Sequence, residues 1–249
     1  MKPEVSTHSI PSTNDGGVFD VHVFEPSGES ESSSSTSIRG TIVTVHPWSA
    51  LGGGEHNTTG LARHISSKLK DGGGWRVITF GLKSSPSWKG GALWGICSAH
   101  ALEVQQIIDV VHWVSDRYGI DHNIILLGSS AGAPMAGSAM AQLQHQQQQN
   151  DRNVISASIF VGYTFGRLAS LAFYTHFSKV LSAIPPKLFI MGERDEFTSV
   201  DQLENMVQKM SNADTEIVAD VGHFELESPG YDAFIAKMVL SWLDKVLSS

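Results

Sequence analysis

The amino-acid sequence predicts an α/β fold, with a mostly parallel central sheet that has helices on both faces. Short apolar runs rich in β-branched residues alternate with longer segments that repeat apolar residues at helical spacing. Strands separated by helices favour βαβ units, whose sheets are buried on both faces. The 249 residues, 41% of them hydrophobic, suffice for one substantial core. We expect an N-terminal extension over residues 1–16 and a single domain over residues 17–249.

The strands are predicted from the apolar runs. Residues 17–26 alternate apolar and polar side chains and end at Pro26, which is typical of an edge strand. Continuous apolar runs indicate buried strands over 38–46, 75–82, 123–129, 154–163 and 186–192. A last short strand is predicted over 215–220.

The helices are predicted from apolar spacing. The segment 99–118 places Val104, Ile107, Val111 and Val114 at helical intervals. Other helices are expected near 57–70, 131–144, 199–211 and 230–247, with one short amphipathic helix between 163 and 186. The Ser/Glu tract 27–37 is interpreted as a solvated connector, and the Gln-rich stretch 144–151 as a helix end with the following loop.

Composition excludes several classes of function. The formal net charge is −8, and no Lys/Arg-rich block is present, which argues against a nucleic-acid partner. The single cysteine, Cys97, cannot form an intramolecular disulfide and fits a reducing compartment. Neither a signal peptide nor an apolar run of about 20 residues is present. We therefore expect a cytoplasmic protein with a small-molecule substrate, no membrane partner and no cofactor, as a monomer or a homodimer.

The stretch Gly128-Ser129-Ser130-Ala131-Gly132 joins a predicted buried strand to a predicted helix. Ligands of such sheets gather at the carboxyl ends of the strands. A serine in a tight turn there projects its hydroxyl above the sheet edge, and the flanking glycines avoid clashes with neighbouring backbone. Because the Gly-x-Ser-x-Gly pattern centres on Ser130, that residue rather than Ser129 is the candidate nucleophile.

A serine nucleophile needs a base, and the base needs an orienting acid. In this architecture the chain order is serine, acid, histidine. Glu193, Asp195 and Glu196 follow the strand predicted over 186–192 and are the candidate acids. His223 follows the last predicted strand and is the candidate base.

Catalysis of acyl transfer also needs donors for the oxyanion. The N–H of Ala131, directly after the nucleophile, is one expected donor. The other is expected in the loop after His46, from Trp48 or from a glycine of Gly52-Gly53-Gly54. No metal site is expected, since the sequence has neither HExxH nor a Cys/His cluster at ligand spacing.

These motifs resemble the serine hydrolases of the α/β-hydrolase fold, and more narrowly a plant branch of that superfamily without a large lid. The resemblance covers nearly the whole chain from about Gly17. It depends on "HPWSALGGG", "LLGSSAGAPMAGSA", "VGYTFG", "PKLFIMGERDEFTSVDQLEN" and "GHFELESPGYD". It implies an α/β-hydrolase fold with Ser130 as nucleophile, Asp195 as acid and His223 as base.

The sequence thus predicts a carboxylesterase-like serine hydrolase that cleaves a small-molecule ester, lactone or thioester. Two other interpretations remain open: a non-hydrolytic enzyme of specialised metabolism, which would catalyse elimination or cyclisation, and a ligand-binding receptor with little turnover. The substrate pocket is expected to include Phe165, His176, Phe224 and Trp94.

Overall fold

The structure is a computed structural model that describes residues 3–14, 16–27, 38–47, 53–68, 73–82, 102–119, 121–150 and 155–247. Within its helices, the side chains of residues 147–150, 167–172, 174 and 175 are not described. The described residues form eight strands: β1 Val5–Pro11, β2 Val18–Phe24, β3 Ile38–Val45, β4 Gly74–Phe80, β5 Ile124–Ser129, β6 Ala157–Val161, β7 Lys187–Gly192 and β8 Ala213–Val218.

These strands make one sheet in the order β1-β2-β4-β3-β5-β6-β7-β8. The pairs from β4 through β3, β5, β6 and β7 to β8 are parallel, whereas β2 is antiparallel to both β1 and β4. The mostly parallel sheet predicted from the sequence is therefore confirmed. The site residues predicted after β5, β7 and β8 all fall at the carboxyl edge of this sheet, because these strands run in the same direction.

Seven helices are found in the described ranges: α1 Glu55–Ser66, α2 Leu102–Tyr118, α3 Gly132–Asn150, α4 Arg167–Ser182, α5 Val200–Val207, α6 His223–Leu226 and α7 Asp232–Val246. Apolar side chains of α2 to α5 pack with one face of the sheet, and those of α1 and α7 with the other. Successive strand residues such as Ile42 and Val43 belong to opposite cores, as the two-residue repeat of a strand requires. None of these helices is both long and apolar enough to cross a membrane.

The N-terminal part of the sheet differs from the expectation. Residues 1–16, which the sequence assigns to an extension, contain β1, whose seven residues pair with β2 from Val5 opposite Phe24 to Pro11 opposite Val18. The strand predicted at the edge, β2, is therefore enclosed by two neighbours, and β1 is the edge strand. Its mostly polar sequence, with only Ile10 deeply buried, lacks an apolar run that would have revealed it.

Two helical features also differ from the expectation. Helix α3 continues through the Gln-rich stretch to Asn150, which agrees with the good helix propensity of glutamine. Helix α6, only four residues long, begins at His223 directly after β8 and its turn, and it was not predicted. The single helix expected between 163 and 186 is α4, and Phe173 on it is buried.

Candidate active site

Ser130 occupies a strained turn between β5 and α3. Its φ angle is +50°, in the left-handed region that is costly for a residue with a side chain, by about 1–3 kcal/mol. Two backbone hydrogen bonds hold it there: the Ser130 N–H donates to the Val161 carbonyl at 2.8 Å, and the Ala133 N–H donates to the Ser130 carbonyl at 3.0 Å. The turn projects the partly exposed Ser130 side chain from the carboxyl end of β5.

The glycines on either side of Ser130 are required by backbone packing. A Cβ atom on Gly128 would lie 2.6 Å from the Ala133 Cα. A Cβ atom on Gly132 would lie 2.5 Å from the carbonyl oxygens of Val45 and His46. The end of β3 therefore packs directly against the serine turn, and the loop expected to supply the second oxyanion donor begins beside it.

A continuous chain of hydrogen bonds joins Ser130, His223 and Asp195. The Ser130 Oγ and His223 Nε2 atoms are 2.7 Å apart, and His223 Nδ1 is 2.6 Å from Asp195 Oδ2. When Nδ1–H donates to the carboxylate, Nε2 can accept the serine proton. The side chains of His223 and Asp195 are fully buried, so this chain reaches the surface only through Ser130.

Asp195 is fixed by its own loop. The second carboxylate oxygen, Oδ1, accepts hydrogen bonds from the N–H groups of Phe197 at 2.8 Å and Thr198 at 2.9 Å. The Thr198 hydroxyl donates to the Tyr163 carbonyl and accepts from the Phe165 N–H, which ties the loop after β7 to the loop after β6.

The other two candidate acids have different contacts. Glu193 is exposed and accepts a hydrogen bond from the Asp220 N–H at 3.0 Å. Glu196 accepts from the backbone N–H of His223 at 2.8 Å and so positions the start of α6. Among the three, Asp195 is the one that bonds to the His223 side chain.

The surroundings of His223 favour its protonated form. Burial is the largest effect and lowers the pKa of His223, but the hydrogen bond to Asp195 and the charges of Glu227, Asp195 and Glu196 together raise it above its ordinary value of 6.5. The imidazole is thus a stronger proton acceptor than an ordinary histidine side chain.

Two aromatic side chains flank the imidazole. The ring centroid of Phe197 lies 4.7 Å from that of His223, and the ring of Phe224 lies 5.4 Å from it, both edge to face. Phe224 is 53% exposed beside the His223 ring, and its place in a substrate pocket stays a prediction. Phe197 has a similar position and was not predicted, since nothing in its local sequence distinguishes it from a core aromatic.

Two residues expected in the pocket lie elsewhere. Phe165 is 8% exposed and stacks on Tyr163 with 4.1 Å between ring centroids, within an aromatic cluster of the core. His176 on α4 is fully buried and bonds to the Ser138 hydroxyl of α3 at 2.6 Å, which makes it a contact between two helices. The prediction for both residues was wrong because a ring that is close to a site in the sequence can instead be buried in the core, as these two are.

The remaining predicted residues are those of the oxyanion hole and Trp94. Ala131 is buried and directly precedes the first residue of α3; its role as an oxyanion donor stays a prediction. Trp48 and Trp94 lie outside the described residues. Among the described residues, no group of three or more His, Cys, Asp or Glu side chains is arranged to hold a metal ion.

Glu227 is a site residue that the sequence did not reveal. Its Oε1 atom accepts a hydrogen bond from the Ser129 hydroxyl at 2.7 Å, and its Oε2 atom lies 3.9 Å from His223 Nε2. The pair is four residues apart at the end of α6, a spacing that brings side chains together on a helix. Because α6 was not predicted, this spacing carried no meaning in the sequence.

Solved structures of similar shape define the fold. An α/β serine hydrolase without a lid from Xanthomonas campestris superposes with a TM-score of 0.68, at 20% identity, over 96% of this chain and 95% of that one. A serine hydrolase homologue from Coxiella burnetii gives 0.67, at 19% identity, over 96% and 97%. A fungal esterase from Rhizomucor miehei gives 0.71, at 15% identity, over 100% and 86%. The chain has the α/β-hydrolase fold.

A sequence profile identifies the family to which the chain belongs. The profile of the family described as serine hydrolase (FSH1) matches residues 97–224, which is just over half of the chain and includes Ser130, Asp195 and His223. The chain belongs to this family of serine hydrolases. A search of curated protein sequences gives no significant match.

Proposed function

We propose that this serine hydrolase cleaves a small-molecule carboxylic ester, or a related lactone or thioester, through an acyl-enzyme intermediate. The observation that carries the proposal is the chain of hydrogen bonds from the Ser130 hydroxyl through both nitrogens of His223 to Asp195. That arrangement meets the geometric requirement for a nucleophile, a general base and an orienting acid.

In the proposed reaction, Ser130 Oγ bonds to the carbonyl carbon while its proton moves to His223 Nε2. The carbonyl oxygen becomes an oxyanion, for which the Ala131 N–H and the Trp48 N–H are the proposed donors. Collapse of this intermediate breaks the bond to the alcohol oxygen, which takes the proton from His223. Water then gives a proton to His223 and its oxygen to the acyl carbon. Collapse of this second intermediate breaks the bond between the acyl carbon and Ser130 Oγ, which takes the proton back from His223 as the acid is released.

The role of Asp195 in this scheme is to hold the ring. Its Oδ2 accepts the Nδ1 proton, which keeps Nε2 free to act as base, and its charge stabilises the imidazolium. Its Oδ1 is held by two backbone N–H groups, so the carboxylate cannot rotate without losing them. The acid thus fixes both the tautomer and the orientation of the base.

Active-site labelling tests the proposal. A fluorophosphonate probe should modify the wild-type protein, and peptide mass spectrometry should locate the adduct on Ser130. Short-chain soluble esters such as p-nitrophenyl acetate should be hydrolysed and should compete with the probe. A Ser129→Ala variant should still carry the adduct at position 130. A protein that binds ester analogues without labelling or turnover would instead be a receptor, and the proposal would be wrong.

A second test is the pH dependence of the rate. A general base must be neutral to accept the serine proton, and the pKa of His223 lies above 6.5 because its carboxylate neighbours outweigh burial. We therefore expect kcat/KM to rise with pH through a midpoint above 6.5 and to fall away on the acid side. Initial rates below KM between pH 5 and 9 measure this midpoint. A profile that is flat from pH 5 to 8 would remove His223 as the base.

A further inference from the structure

A second carboxylate lies beside the proposed base, on the side opposite Asp195. The Glu227 side chain is only 9% exposed, and its Oε2 atom is 3.9 Å from Nε2 of His223. That nitrogen is the one that faces Ser130, whereas Asp195 bonds to Nδ1. The imidazole ring therefore lies between two carboxylates, one near each nitrogen.

Ser129 fixes the second carboxylate. Its hydroxyl donates to Glu227 Oε1 at 2.7 Å, and Ser129 is itself buried, at 7% exposed. The Ser129 hydroxyl therefore bonds to Glu227, whereas the Ser130 hydroxyl bonds to His223. Among the described residues, neither a lysine nor an arginine forms an ion pair with Glu227, so His223 is the cation available to it there.

We propose that Glu227 is a positioning residue of the hydrolase reaction, which stabilises the imidazolium of His223 from the side of Nε2. The inference is based on the function proposed above. When Ser130 Oγ bonds to the substrate carbon, its proton moves to Nε2 and His223 becomes positive. Glu227, held by Ser129, then faces a charge close to its carboxylate, and the attraction is stronger than in water because both groups are buried.

The electrostatics of the surrounding groups agree with this role. The charged groups around His223 are Asp195 and Glu196 from the loop after β7, and Glu227 at the end of α6. Burial raises the pKa of Glu227 above its ordinary value, although His223 and the Ser129 hydrogen bond oppose that rise; Asp195 adds to it. The negative form of Glu227 is thus favoured most when His223 carries the proton, as coupled groups require.

Replacement of Glu227 distinguishes a purely structural role of this residue from the proposed positioning role. Burial of a carboxylate without a basic partner lowers stability unless the charge is otherwise compensated. Replacement of Glu227 by glutamine retains the shape and an acceptor for Ser129, so the fold should be at least as stable. If Glu227 served the fold, the same replacement would lower the melting temperature without affecting His223.

The experiment compares Glu227→Gln with wild type through the second-order rate of fluorophosphonate labelling from pH 5 to 9. Without the second carboxylate, the acid limb should move to lower pH by about one unit, and the plateau rate should fall about tenfold. Ser129→Ala keeps the Glu227 carboxylate but removes the hydrogen bond that holds it. This variant should lower the labelling rate as well, but by a smaller factor. Glu225→Gln, an exposed carboxylate of the same helix, is the matched control and should behave as wild type.

A measurement without turnover separates the possible outcomes. The His223 imidazole should titrate by NMR at lower pH in Glu227→Gln than in wild type. An unchanged titration and an unmoved acid limb in a folded Glu227→Gln protein would overturn the positioning role while Ser130 labelling still supports the hydrolase function. If wild type is not labelled at Ser130, the hydrolase function fails, and the role of Glu227 fails with it. If Glu227→Gln does not fold, Ser129→Ala gives the same comparison.

Discussion

Replacement of Ser130 by alanine should abolish ester hydrolysis and leave the fold intact. Removal of the nucleophile from a serine hydrolase costs on the order of 10⁴ to 10⁶ in kcat, because the remaining residues of the triad have nothing to activate. Alanine keeps a Cβ atom in the same strained turn, and the backbone bonds to Val161 and from Ala133 are unaffected. The turn itself should therefore persist.

Turnover of a soluble ester by purified variants measures this loss, and circular dichroism and thermal unfolding show that the fold is retained. Ser182→Ala, at the exposed end of α4, controls for removal of a serine. The Ser130→Ala protein should also fail to react with the fluorophosphonate probe. Retention of more than a tenth of wild-type turnover would show that another residue is the nucleophile, and the double variant with Ser129→Ala would identify the neighbouring serine if it is responsible.

The second large effect is expected for Asp195→Asn, with a loss on the order of 10⁴ in kcat. Asparagine can retain the Oδ1 acceptor for the Phe197 and Thr198 N–H groups, and it then presents its amide NH₂ to His223 Nδ1. An NH₂ group only donates, so Nδ1 must become the acceptor and the ring proton moves to Nε2. The nitrogen that should take the serine proton would already carry one.

The neighbouring acids provide the controls for this variant. Glu193→Gln and Glu196→Gln keep an oxygen acceptor for the backbone N–H groups of Asp220 and His223, so each should retain kcat within about threefold. Comparison of kcat for the three variants at one pH gives the result. Equal losses in all three would contradict the assignment of Asp195 as the acid.

Much of the fold was predictable because the buried strands are continuous apolar runs. The Gly-x-Ser-x-Gly pattern after strand β5 is weak by itself, and it became informative because it stands between an apolar strand and a helix rich in small residues. The order serine, acid, histidine then selected the loops after β7 and β8. These predictions depended only on local sequence and on the parallel direction of the strands.

The features that were missed depend on contacts between distant segments. Strand β1 is largely polar and becomes a strand only because β2 offers it an edge. Phe165 belongs to the core because Tyr163 and Phe177 meet it there, which no local pattern indicates. Glu227 approaches His223 only through the unpredicted helix α6. In each case, contacts with residues distant in the sequence determine the structure, and local propensity does not reveal them.

The hydrogen bonds between the loops after β6 and β7 have a consequence for the energetics of turnover. Thr198 joins the two loops, and the Asp195 carboxylate is held by the backbone of its own loop. A freely moving acid loop would lose conformational entropy, about 1–2 kcal/mol for each residue fixed, every time the reacting groups met. Here the chain orders that loop once, during folding. In the proposed reaction the acid and the base are therefore preorganised, and we expect the activation barrier to contain little entropy for assembling them.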